Sequence, residues 1–346
     1  MDVRVGGIMK QKWLWYSIVG FGVMGLGLIS IGINRSDNVK VRSDVPAKTV
    51  LAESSPSPII SASAKAEPIN KELMDRIQLE AEKRKIAPID ARVDKVWKMI
   101  PGYNGLEVDI DQTYRHATQN GGPDLTYFMK EVTPNVSIDD LGANPIYKGN
   151  SKKQMISFMI NVAWGNEYLI KMLEELKKEN VKTTFFFDGS WLNKNLELAR
   201  AIGEAGHELS NHAYSHPNMS TLSRERQVDE IQKTEELLKK LGVKNKLFAP
   251  PSGDFNDQTV KIAHELGLKT VMWTIDTVDW QNPGADVVLR RITSRIEPGA
   301  LVLMHPTEST SQALGAMIRE VKKRGLLLGT VSEVLSSKRI EPTKGE

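Results

Sequence analysis

The chain has 346 residues with 40% hydrophobic and 26% charged residues, a formal net charge of +3 and no cysteine. That length and composition support about two domains and a sizeable core. The missing cysteine excludes disulfides, thiolate metal sites and a cysteine nucleophile. With no dense Lys/Arg patch interleaved with aromatics, nucleic acid is a poor partner.

Residues 13–33, "WLWYSIVGFGVMGLGLISIGI", carry no charge and are long enough to cross a bilayer. Trp13, Trp15 and Tyr16 mark one end, where amphipathic rings favour the membrane interface. Arg4, Lys10 and Lys12 precede the run, so residues 1–12 are expected in the cytoplasm. No A-x-A cleavage site follows. The reading is a single-pass anchor in the cell membrane with the rest of the chain extracytoplasmic. The alternative is secretion after signal cleavage. Residues 34–68 are rich in Ser, Pro and Ala and read as a flexible linker. Residues 69–150 form a small α/β module of unknown role, expected to open with two short helices broken near Pro88. Within it, "LEVDI" predicts a strand and "GGPDLTYF" begins with a turn.

From 151 to 336 apolar runs alternate with helical periodicity. "QMISFMI" (154–160) predicts a buried strand, and Leu169, Met172, Leu173 and Leu176 share one helical face after it. "KTTFFF" (182–187), "HELSN" (207–211), "NKLFAP" (245–250), "KTVMWTI" (269–275), "ALVLMH" (300–305) and "LLLGT" (326–330) predict further strands. Helices are expected between them, one carrying the stripe Val228, Ile231, Leu238 and Leu241 with its charges on a solvated face. This alternation predicts an α/β fold, a distorted (β/α) barrel of about seven parallel strands. In such barrels chemistry gathers at the strand C-terminal ends. Asn161, Asp188, His212, His216, "PPSGD" (250–254), Asp276, Asp279 and His305 all follow strands.

"NHAYSHP" places His212 and His216 four apart, which suits one metal ion if a helix or tight turn aligns them. Spacing alone leaves open a pair of polar loop residues. His116, His207 and His264 read as structural.

"NHAYSHP", "APPSG", "DTVDW" and "LVLMHP", in this order after successive strands, resemble the second to fifth motifs of polysaccharide deacetylases, the NodB-homology carbohydrate esterases. "NVAWGNEY", "GSWL", "GHELSNHAYSHP" and "WTIDTVDW" resemble the sporulation-associated, typically membrane-anchored branch of spore-forming bacilli. The resemblance implies metal-dependent removal of acetyl groups from peptidoglycan or chitin-like amino-sugar polymers of the cell wall. It implies His212 and His216 as metal ligands, zinc first, and His305 as general acid oriented by Asp279. Ser252 and its neighbours would serve the oxyanion, with Trp280 in the substrate groove.

The first motif departs from the family. Its Phe-Asp-Asp is here Ile160, Asn161 and Val162, so an amide replaces the base and an isopropyl group the third ligand. Ala249 replaces the arginine that would hold the base. An amide cannot take a proton from a metal-bound water, and general-base catalysis is worth ~10²–10⁴-fold. Two imidazoles alone would hold zinc weakly, if at all. Two readings follow: a deacetylase of reduced power, or a non-catalytic pseudoenzyme that binds glycan or a protein at the cell surface. Trp164, Trp273 and Trp280 would line the groove of the second, or else belong to the core. Glu167, Asp188, Asp254 and Asp276 are the candidate replacement acids, with Asp188 read as a turn residue and Glu167 as a first-turn carboxylate.

Overall fold

The computed structural model describes residues 70–120 and 125–340. The expected cytoplasmic segment 1–12, span 13–33 and linker 34–68 lie outside them, as does part of the "GGPDLTYF" turn. Among the described residues no helix is long and apolar enough to cross a membrane.

The first part comprises α1 (Lys71–Arg84), the hairpin β1 (Arg92–Asp94) and β2 (Lys98–Ile100), β3 (Gly105–Val108), α2 (Ile110–Asn120) and β4 (Met129–Val132). Helix α1 starts at Asn70, whose side chain accepts the Leu73 N–H. The second helix expected after Pro88 is instead the antiparallel hairpin β1–β2. Asp94 explains the difference, because its Oδ1 accepts the N–H groups of Val96 at 2.8 Å and Trp97 at 2.9 Å. That side-chain turn competes with helix and reverses the chain.

The second part runs β5 (Met155–Val162), α3 (Asn166–Lys178), β6 (Thr184–Phe187), α4 (Gly189–Lys194), α5 (Leu196–Glu204), β7 (Glu208–Asn211), α6 (Arg224–Lys240), β8 (Leu247–Phe248), α7 (Asp257–Glu265), β9 (Lys269–Thr270), β10 (Ile275–Asp276), α8 (Ala285–Thr293), β11 (Leu301–Met304), α9 (Glu308–Lys323), β12 (Leu327–Leu328) and α10 (Val331–Leu335). Seven strands pair in parallel in the order β10-β11-β5-β6-β7-β8-β9, a curled sheet in which β12 also pairs with β5. The expected single strand over 269–275 is two short ones. Between them Met272 donates to the Ile146 carbonyl at 2.7 Å, so a residue from the first part takes the pairing that a longer β9 would have used.

The sheet has two apolar faces. Ile156, Phe158, Ile160 and Val162 pack outward with the α3 stripe Leu169, Met172 and Leu176 and with α9. Met159, Phe186, Leu247 and Ala249 face inward with Ile146 and α10. Alternate residues of β5 therefore serve opposite layers, as a pleated strand requires.

A candidate glycan-binding cleft

At the C-terminal ends of the strands lies a cleft of about 440 Å³ lined by Asn161, Trp164, His216, Ser252, Trp273, Asp276, Trp280, Leu303 and His305. The predicted mouth thus brings together residues from β5, β10, β11 and the loops after β7 and β8. All three tryptophans face it, Trp164 and Trp280 with about half their surface exposed.

His212 lies beneath, 1% exposed, directly after β7. The chain then turns through Ala213 and His216, both with positive φ near 57°. This turn sets the two imidazoles edge to face, 5.1 Å between centroids. Its shape is enforced by Glu230 of α6, a buried carboxylate that accepts the N–H groups of Tyr214 at 3.1 Å and Ser215 at 2.7 Å and the Ser215 hydroxyl at 2.8 Å. The sequence predicts the α6 charges on a solvated face, but Glu230 belongs to the buried stripe Gln227, Glu230, Ile231, Thr234, Leu237 and Leu238.

His212 Nδ1–H donates to the Ala249 carbonyl at 2.7 Å. Its Nε2 therefore carries a lone pair, and the Asn161 Nδ2–H points at it from 3.4 Å. Burial, then the neighbouring His216 charge, pushes the His212 pKa down to about 3, so the ring stays neutral. Asn161 Oδ1 is buried and finds no hydrogen-bond partner among the described residues. So the residue in the expected base position touches the expected ligand, as an amide donor.

Val162 does not share this cleft. It is fully buried in the outer core beside its pairing partner Phe187, on the face of β5 opposite Asn161. The residue 162 side chain thus belongs to the outer core in this structure. Ala249 is buried in the inner core, and it contributes through its backbone carbonyl.

On the other wall, Asp279 is fully buried. Its Oδ1 accepts from His305 Nδ1 at 2.8 Å, and its Oδ2 accepts the His305 backbone N–H at 2.7 Å and the Thr310 hydroxyl. Burial raises the Asp279 pKa, but the hydrogen bonds and the His305 charge outweigh it and leave it below the ordinary carboxylate value. Trp164 stacks on the His305 ring, 5.5 Å between centroids and 13° from parallel. Gly165 permits this: with φ +80°, a Cβ there would come within 2.1 Å of the Pro306 carbonyl oxygen. Ser252, at φ 56°, is exposed on the cleft rim.

The replacement acids are mostly committed elsewhere. Asp188 caps α4 by accepting the Trp191 N–H at 2.8 Å, as a turn residue would, and burial raises its pKa. Asp254 accepts from the N–H and hydroxyl of Ser220. Glu167 sits exposed in the first turn of α3. Only Asp276 of the four lines the cleft, with Oδ1 accepting the Val278 N–H at 2.7 Å. Among the described residues no group of three or more His, Cys, Asp or Glu side chains is arranged to hold a metal ion. The donor set does not fit a tightly held zinc, which wants at least three protein ligands. His207 accepts the Thr183 N–H at 3.3 Å, and His116 and His264 sit in α2 and α7, away from the cleft lining.

Residues 148–271 match the polysaccharide deacetylase family. The protein YlxY of Bacillus subtilis is 46% identical over 285 residues, covering 81% of this chain and 88% of YlxY. The crystal structure of a CE4 family pseudoenzyme from Bacillus anthracis superimposes with a TM-score of 0.70 at 46% identity, over 78% of this chain and 96% of that one. A mutant of it with restored enzymatic activity aligns equally well. A peptidoglycan-N-acetylglucosamine deacetylase of Bacillus cereus is 32% identical over 49% of this chain and 83% of its own length.

Proposed function

We propose that this chain, which belongs to the polysaccharide deacetylase (CE4) family, recognises amino-sugar polymers of the cell wall and has lost most or all of the family's metal-dependent deacetylation. One observation carries the reading: the Asn161 amide occupies the base position and points its N–H at the lone pair through which His212 would bind a metal. A carboxylate there would serve as base and face a cation. An amide does neither, and no other described acid completes the ligand set.

What remains suits binding. Trp164, Trp273 and Trp280 offer indole faces around a cleft that also presents Asp276, Ser252 and His305 as hydrogen-bonding groups. Sugar rings stack their apolar C–H faces on indoles while hydroxyls and acetamido groups reach the polar rim. The relative from B. anthracis, itself a CE4 family pseudoenzyme, supports loss of turnover, and its mutant with restored activity supports a cleft that still has the family's shape. In this reading His212 and His216 are vestigial ligands, while Asp279, His305, Ser252 and Trp280 shape the groove. The sequence further supports a membrane-anchored extracytoplasmic protein, tethered through residues 34–68, of the sporulation-associated branch.

The test pairs turnover with binding. The purified protein is expected to release no acetate from partly acetylated chito-oligomers, with or without added zinc or cobalt. It should still bind those oligomers, and Trp280→Ala should weaken binding by about 1–3 kcal/mol. Zinc-dependent acetate release by the unmodified chain at a rate matching an active family member would refute the reading.

A further inference from the structure

The β1–β2 hairpin carries apolar side chains on its outside. Val96 is 70% exposed, Val93 51% and Trp97 38%, whereas Met99 and Ile100 at its base are buried. This tip is held in shape by the Asp94 carboxylate, which takes the N–H groups of Val96 and Trp97, and by Lys98 at φ 56°. A turn that keeps two valines largely in water, and an indole only partly covered by Tyr147 and Lys148, gives up apolar burial.

The same turn is ringed by cations. Arg92, Lys95 and Lys98 are all exposed; the Lys148 ammonium lies 5.1 Å above the Trp97 ring but is paired with Glu297 and largely covered, so it adds no free charge to the collar. Against these three cations stand Asp94, whose Oδ1 also holds the turn, and Asp139 and Asp140 on the adjoining turn 138–141, of which Asp139 is paired with Lys269, so the tip keeps an excess of positive charge. An apolar point with a cationic collar matches an anionic bilayer surface: short aliphatic chains enter the acyl boundary, an indole rests at headgroup level and ammonium groups meet phosphates. Sugar stacking fits less well, because Lys148 covers one face of Trp97. We propose that the β1–β2 hairpin is a membrane-contact element that seats Val93, Val96 and Trp97 in the interface of an anionic bilayer. It is independent of the cleft and of whether that cleft turns over substrate.

Hydrogen exchange of the full chain tests it, on vesicles of phosphatidylcholine alone or with an equal part of phosphatidylglycerol. Amides of residues 93–98 should slow by about fivefold or more on the anionic vesicles only, and salt should reverse the effect because it screens the cationic collar. Val96→Asp, at a position 70% exposed, should leave the thermal midpoint unchanged and abolish that protection, and Lys95→Glu with Lys98→Glu should reduce it. Exchange that is the same on both vesicle types would overturn the proposal, leaving a protein partner to cover the tip. Protection that survives Val96→Asp would overturn it equally.

Discussion

Two adjacent substitutions on β5 separate the contributions of position and chemistry. Asn161→Asp puts a carboxylate where the amide now points at His212 Nε2 from 3.4 Å. In the metal-free protein this anion is almost fully buried beside a neutral imidazole, so it should destabilise the fold by about 1–3 kcal/mol. With zinc the same carboxylate becomes a third ligand beside His212 and His216, and the amide donor that faced the lone pair is gone. At a hundredfold excess over Kd, metal binding should then return about 2.7 kcal/mol. Val162→Asp differs because residue 162 points into the outer core against Phe187, with no exposed surface. It forfeits about 1.5–3 kcal/mol of apolar burial and adds a desolvated carboxylate, a total of more than about 4 kcal/mol. Thermal unfolding with and without zinc, together with calorimetric titration, should show a zinc-dependent rise in midpoint for Asn161→Asp. Val162→Asp should give only a large loss, and the pair should bind zinc no more tightly than Asn161→Asp alone. A double variant that binds zinc more tightly with no loss of midpoint would refute the orientation argument.

Three further outcomes follow from individual contacts. Glu230→Gln should cost about 1–3 kcal/mol and speed amide exchange at residues 214–216, because the carboxylate holds the turn that carries His216. Gly165→Ala forces a Cβ against the Pro306 carbonyl at positive φ, so it should lower stability by about 1–3 kcal/mol and weaken oligosaccharide binding by displacing Trp164. Burial, then the Lys182 charge, lowers the His207 pKa from 6.5 to about 4, so the unfolded chain binds the extra proton first as pH falls. Its contribution is complete above pH 6.5 and is lost on acidification toward pH 4, a swing of up to about 3 kcal/mol. His207→Gln, whose amide oxygen can still accept the Thr183 N–H, should flatten that acid slope in denaturant titrations at successive pH values.

Much of the sheet was legible because buried parallel strands read as short apolar runs and amphipathic helices repeat every 3.6 residues. Where reading failed, side-chain chemistry had competed with propensity. One Asp94 oxygen turned an expected helix into a hairpin, and Ile146 from outside the repeat took the pairing that would have extended β9. The cleft was legible through the strand-end rule, which brought Asn161, His216, Ser252, Asp276 and His305 to one mouth. Side-chain direction at residue 162 was less so, although period-2 alternation sets neighbouring strand residues on opposite faces. Glu230 was missed because a carboxylate in a charged helix looks solvated until the backbone groups it caps are known.

The residues that most invite a catalytic reading also have a structural reason to stay. Asp279 accepts the backbone N–H and the ring N–H of His305, which follows β11, and the hydroxyl of Thr310 in α9. One carboxylate thus ties together the segment after β10, the end of β11 and the first turn of α9, and removing it would leave three donors unpaired in or beside the core. His305 in turn carries the indole of Trp164, one wall of the cleft. A chain relieved of catalysis can still need both residues to keep that wall in place. The Asp279–His305 pair therefore does not count as evidence of turnover here. Asn161 differs from that pair: its amide oxygen finds no hydrogen-bond partner among the described residues, so no comparable set of contacts depends on it.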